Sequence, residues 1–168
     1  AVTSFDNAVD MTPSCHPALF WKGKALSDQG RFDEAITAYN HSIELSPKTA
    51  VFYDHRGLAF ASLEQFRDAI QSYDQSLEIE HKALVFAHKG IALAELGMSR
   101  DAIEAFDRAI DLNENLAEAW MGKGNAYYDL GKYNNAQAAY EKCLALDPEN
   151  AVGWTRHGMA LSAQQQFE

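Results

Sequence analysis

The chain has 168 residues, 47% of them hydrophobic and 11% aromatic, enough apolar material to bury a core and too much for a disordered segment. Its 24 acidic against 14 basic residues give a formal charge of −10, which disfavours nucleic acid, because phosphate binding needs clustered cations to release counterions. No apolar run reaches about 18 residues and "AVTSFDNAVD" lacks the basic start of a leader, so no membrane anchor is predicted and a cytoplasmic location is expected.

One period organises everything else. Gly23, Gly57, Gly90, Gly124 and Gly158 step by 34, 33, 34 and 34 residues, and Ala1, Ala35, Ala69, Ala102 and Ala136 keep the same register. So do the aromatics Phe5, Tyr39, Tyr73, Phe106 and Tyr140. In chain order, residues 1–15 read as the second helix of an incomplete repeat. Residues 16–49 hold two helical patterns, "PALFWKGKALSDQG" and "RFDEAITAYNHSIELSP", parted by Gly30 and stopped at Pro47. Residues 50–82 repeat the pattern. Residues 83–116 depart from it: one residue is lost between Ala69 and Gly90, Ser99 replaces the aromatic of Phe32, Phe66 and Tyr133, and Glu114 replaces the proline. Looser packing is expected there, as drift rather than a hinge. Residues 117–150 are regular, with Gly131 and Pro148 as punctuation, and 151–168 read as a first helix alone.

Trp120, Gly124, Tyr127, Ala136, Tyr140 and Pro148 fall at signature spacing, with Lys123 where leucine is usual. On these residues the whole chain resembles the tetratricopeptide repeat family. The resemblance implies an all-α, right-handed superhelical solenoid of antiparallel helix hairpins, here four full repeats between two halves, and so a fragment of a longer array.

With about 100° per residue, positions can be sorted around each first helix relative to the glycine. The apolar arc includes the residue just before the glycine, Lys22, Arg56, Lys89, Lys123 and His157, so this basic ladder faces inward. Twelve residues earlier stand Asp10, Glu44 and Asp111 (eleven for Glu78), and Ala145 before His157. Each cation is expected to meet that acid, or the last carbonyls of its helix, with His157 the weak member.

The resemblance places a ligand groove on the opposite side. By angle it is lined by Phe20, Lys24, Ser27, Asp28, Val51, Asp54, Leu58 and Ser62, then Leu84, Ile91 and Glu95, then Glu118, Met121, Asn125, Tyr128 and Asp129, and finally Thr155 and Met159. Asp28, Asp54, Glu95, Glu118 and Asp129 against Lys24 leave −4, which suits a peptide with basic and apolar side chains. The expected function is therefore a protein–protein interaction scaffold. The alternatives are head-to-tail self-association through the open repeat ends, or a docking domain of a larger enzyme. Among family types, the carboxylate-clamp chaperone adaptors fit poorly: Asn125 matches, but Met121 and Met159 stand at the lysine and asparagine places. The asparagine ladder of a sugar-transferring nuclear enzyme is absent, Trp21, His55, His88, Gly122 and Arg156 holding those positions.

No phosphate-cradling loop, nucleophile elbow or helical His-Glu metal motif is present, so no enzyme activity, cofactor or metal is expected. The histidines read as solvated or capping groups. Cys143 holds the small core position of Ala8, Ser42, Ser76 and Ala109, and four repeats separate it from Cys15, too far for a disulfide.

Overall fold

The computed structural model describes residues 2–12 and 16–165, and there the chain forms helices and no strand. The elements are α1 (Val2–Met11), α2 (His16–Ser27), α3 (Phe32–Leu45), α4 (Ala50–Ser62), α5 (Phe66–Ile79), α6 (Ala83–Glu95), α7 (Ser99–Leu112), α8 (Ala117–Asp129), α9 (Tyr133–Leu146) and α10 (Ala151–Gln165). They fall into two compact units, Ala1–His81 with α1–α5 and Lys82–Glu168 with α6–α10. In the N-terminal unit each helix packs on the next and α2 also touches α4; in the C-terminal unit each packs on the next, and α8 touches both α6 and α10.

Gly30, Gly97 and Gly131 follow their helices with φ of 73°, 73° and 70°, the left-handed conformation that lets the chain fold back without a Cβ clash. Arg31, Met98 and Lys132 then donate their N–H groups to the carbonyls of Leu26, Leu93 and Tyr127. After α4 the same place is held by Glu64, at φ 59°, and Gln65 still bonds Phe60 at 2.9 Å. The turn is dictated by the hairpin, and a residue with a Cβ is strained into it.

The second helices end at Leu45, Ile79, Leu112 and Leu146, whether or not a proline follows. The residue four before each glycine explains what the proline position does. Tyr53 donates its hydroxyl to the Pro47 carbonyl at 3.0 Å, and the Trp154 indole to that of Pro148 at 2.9 Å. The Trp120 indole reaches the Glu114 carbonyl at 2.8 Å. The anchor is a main-chain oxygen, so Glu114 serves as well as proline.

The looser packing expected in residues 83–116 is not seen along α7. The lost residue falls in the loop 80–82, leaving the helices intact, and α7 buries Ser99, Ala102, Ile103, Ala105, Phe106 and Ala109. Ser99, where Phe32, Phe66 and Tyr133 stand in the other repeats, is itself buried.

The signature glycines are contact points. A Cβ on Gly23, Gly57, Gly90 or Gly124 would lie 2.6, 2.5, 2.7 or 2.5 Å from the ring of Tyr39, Tyr73, Phe106 or Tyr140. Gly122, on the first helix of the following repeat, makes a second close approach to the completely buried Phe106 ring. Around these rings the N-terminal core gathers Phe20, Leu26, Ala35, Ile36, Ala38, Phe52 and Ala59, while in the C-terminal unit Met121, Tyr127 and Tyr128 pack on Ala136, Tyr140 and Ala160. Cys143 is fully buried, as its small-residue register predicts; Cys15 lies outside the described residues.

Candidate functional site: the first-helix faces

In the N-terminal unit, α2, α3 and α4 enclose an open depression of about 180 Å³. Lys24, Ser27 and Asp28 come from α2, Phe32 and Tyr39 from α3, and His55, Leu58, Ala59 and Ser62 from α4. Of the predicted groove residues, Lys24, Ser27, Asp28, Leu58 and Ser62 are thus brought together, with Asp54 half-buried on the same helix as Leu58. Lys24 Nζ stands 3.8 Å from Asp28 Oδ1, a loose pair one turn apart. Tyr39 shares a 3.3 Å hydrogen bond with Ser27. Burial pushes the Tyr39 phenol up, the Ser27 bond partly offsets this, and the Asp28 carboxylate raises it further.

Phe20 is a correction. Its angle puts it at the groove centre, but α4 covers it: the ring is buried, 5.2 Å from Phe52 and 5.0 Å from His55. It supports the depression from beneath. His55 is likewise packed rather than solvated, edge-on to Phe20 and 6.1 Å from Tyr39. Its Nδ1 lies 3.1 Å from the Val51 carbonyl; a carbonyl only accepts, so Nδ1 carries the proton and Nε2 offers a lone pair in the neutral ring. Sequence reasoning missed His55 as a lining residue because it sits just outside the arc assigned to the groove, and Tyr39 because it belongs to a second helix, which the angular sorting of first helices does not cover.

In the C-terminal unit, Ile91 and Met159 are exposed at 37% and 42%, and Glu95, Glu118, Asp129 and Thr155 are exposed. Met121 and Tyr128 are half-buried against the Tyr140 cluster, and Tyr128 meets Tyr133 edge-on at 5.3 Å. Asn125 accepts the Tyr140 hydroxyl at 2.9 Å. Thr155 turns its hydroxyl back to the Ala151 carbonyl.

At Arg56, Lys123 and His157 the basic ladder does join a second helix to the next first helix, but through a different partner. Lys123 Nζ pairs with Asp107 at 2.5 Å, not Asp111, and lies over the rings of Trp120 and Tyr127. Arg56 donates to Asn40 at 2.9 Å, to Ser72 at 3.1 Å and to Gln75 at 2.5 Å, not to Glu44. His157 Nε2 stands 3.5 Å from Glu141, an ion-pair distance at which no hydrogen bond closes. Gln137, and after it His157, hold the Glu141 carboxyl below the usual carboxylate range. The partner is sixteen residues before the cation, next to the buried aromatic, rather than twelve. An acid there is legible in the sequence as Asp107 and Glu141, with Asn40 the neutral exception. The side chain of Asp10 lies outside the described residues.

Among the described residues no helix is long and apolar enough to cross a membrane, and no group of three His, Cys, Asp or Glu is placed to hold a metal ion.

The architecture defines an all-α solenoid of helical hairpins. Family models for the tetratricopeptide repeat match residues 83–116 and 117–150, and a TPR repeat model matches 23–64. Together these stretches span more than half of the chain, which belongs to the tetratricopeptide repeat family. Similar solved structures include YrrB, a TPR protein with an unusual peptide-binding site (TM-score 0.80, 21% identity, 98% of this chain and 86% of that one). MamA gives TM-score 0.82 at 25% identity over 89% and 82% of the two chains. A tetratricopeptide repeat protein from Parabacteroides merdae gives 0.85 at 17% identity over 98% and 66%. No curated protein matches the chain by sequence.

Proposed function

We propose that this interaction scaffold binds an extended peptide segment of a partner protein along its first-helix faces, favouring basic and apolar side chains. The observation that carries the reading is the depression of the N-terminal unit, where Lys24, Asp28 and Leu58 converge around solvent-open space from two successive first helices. The exposed Ile91 and Met159 beside Glu95, Glu118 and Asp129 support the same chemistry in the C-terminal unit. Apolar side chains there supply contact area, and the acids select the sign of the ligand. YrrB, which shares the fold, is described as having a peptide-binding site, which favours a peptide as the ligand class.

Fluorescence polarisation with labelled ten-residue peptides tests this, using basic-apolar, acidic-apolar and neutral sets. The basic-apolar set should bind tightest, and Leu58→Glu or Tyr128→Ala should each weaken it about tenfold, the size expected for an anchor residue. Equal affinity of the best peptide for wild type and both variants would remove the groove assignment.

A further inference from the structure

Resting on the peptide reading, we propose that the depression in the N-terminal unit is a pocket for one basic side chain of the ligand, a guanidinium in preference to an ammonium. Its floor is closed: Tyr39 and Ala59 are 1% and 2% exposed. Leu58 and Phe32 give it apolar wall, and the His55 ring gives it an aromatic edge. A side chain with an aliphatic stem and a polar head matches that division, because the stem covers the wall while the head stays at the wet rim.

The polar atoms choose the head. The Ser62 hydroxyl already donates its proton to the Leu58 carbonyl at 3.0 Å, so its oxygen is left to accept. His55 spends its Nδ1 proton on Val51, so its Nε2 accepts as well. The Asp28 carboxylate, 68% exposed at the rim, accepts only. The lining therefore offers three acceptors against the Lys24 ammonium and the one hydroxyl proton that the Ser27–Tyr39 pair leaves over, and a donor-rich cation satisfies more of it than a carboxylate would. Lys24 is the one cation lining the pocket, but it is 40% exposed and only loosely paired with Asp28. Such a surface pair holds little energy, so an incoming cation displaces Lys24 readily. A guanidinium adds a flat face for the His55 ring, a fork that fits a carboxylate, and weaker hydration than an ammonium.

NMR titration of the 168-residue chain with N-acetyl-arginine amide, N-acetyl-lysine amide and the uncharged isostere N-acetyl-citrulline amide tests the pocket. Saturable shifts at Ser27, His55 and Leu58 are expected with arginine, weaker ones with lysine, and binding about tenfold weaker or less with citrulline, for loss of the charge-assisted bonds. Asp28→Asn should weaken arginine binding about fivefold, and Lys24→Met should tighten it, both sites being exposed enough to leave the fold intact. Citrulline binding as tightly as arginine, or arginine binding indifferent to Asp28→Asn, would overturn the inference. The two proposals fail separately. If no peptide binds either unit, the peptide reading falls; if peptides bind but exchanging their arginines for citrulline changes nothing, only the pocket does.

Discussion

Arg56 sits half-buried between three helices with every partner neutral: Asn40, Ser72 and Gln75. Burial lowers its pKa from the ordinary value, and the Tyr53 ring 5.3 Å away only partly offsets the lost hydration. The equivalent Lys123 has a carboxylate, Asp107, in the place of Asn40. Asn40→Asp should therefore stabilise the chain by about 0.5–1 kcal/mol, by making the 2.9 Å bond charge-assisted in a partly screened site. Urea midpoints of the variant and wild type measure this. The gain should vanish in an Asn40→Asp, Arg56→Met double variant, and a midpoint unchanged or lowered by the single substitution would show that the neutral network is already optimal. The acid at this position was visible in the sequence, but choosing sixteen residues over twelve needed the distance between helices, which spacing along the chain does not contain.

Helix pairs approach through glycine. In four repeats the first helix presents a glycine to the ring of its own second helix, and any Cβ there would stand 2.5–2.7 Å from a ring carbon. A helix-favouring residue is excluded because the ring is fixed in a filled core. Gly57→Ala and Gly124→Ala should each cost about 1–3 kcal/mol in overpacking, against a gain near 1 kcal/mol in helix propensity. Gly158 has nothing within 4 Å of an added Cβ, so in this 168-residue chain Gly158→Ala should stabilise by up to about 1 kcal/mol. Thermal or urea unfolding of the three variants checks the opposite signs, and equal effects at Gly124 and Gly158 would refute the contact as the reason for glycine. Recurrence of glycine and aromatic at fixed spacing was legible; which ring fills which gap was not, because a second helix can meet a first helix in its own repeat or in the next. Phe20 shows the same limit, since its angle is right for the groove and only the neighbouring α4 buries it.

At the scale of the molecule, the buried phenols make stability pH-dependent on the alkaline side. Burial pushes Tyr140 up to about 12 from an ordinary 10.0, and raises Tyr39 and Tyr73 as well. An acid whose folded pKa lies above its unfolded value keeps its proton longer when folded. The stabilisation is thus complete below pH 10.0 and is lost as pH rises toward 12, where the unfolded chain has released protons that the folded chain still binds. Urea midpoints should fall over that window, and Tyr140→Phe should fall less steeply. Phenylalanine at Phe106 already fills the same repeat position, so the ring alone suffices for packing. A midpoint independent of pH, or a slope unchanged by Tyr140→Phe, would show that the phenol titrates alike in both states.

The repeat, the helices and their ends follow from sequence by itself, because a stacked hairpin must recur with the same small, aromatic and turn residues wherever the chain meets its neighbour. The inward placement of the basic ladder also follows, from 100° of rotation per residue. Tertiary structure alone decided which partners Arg56, Lys123 and His157 meet, that Glu114 can replace a proline by lending its carbonyl, and that α7 keeps a buried face despite Ser99. It also decided that Tyr39 and His55 line the depression over a buried Phe20. Those outcomes depend on distances between helices far apart in sequence, whereas periodicity reports only which way a residue faces on its own helix.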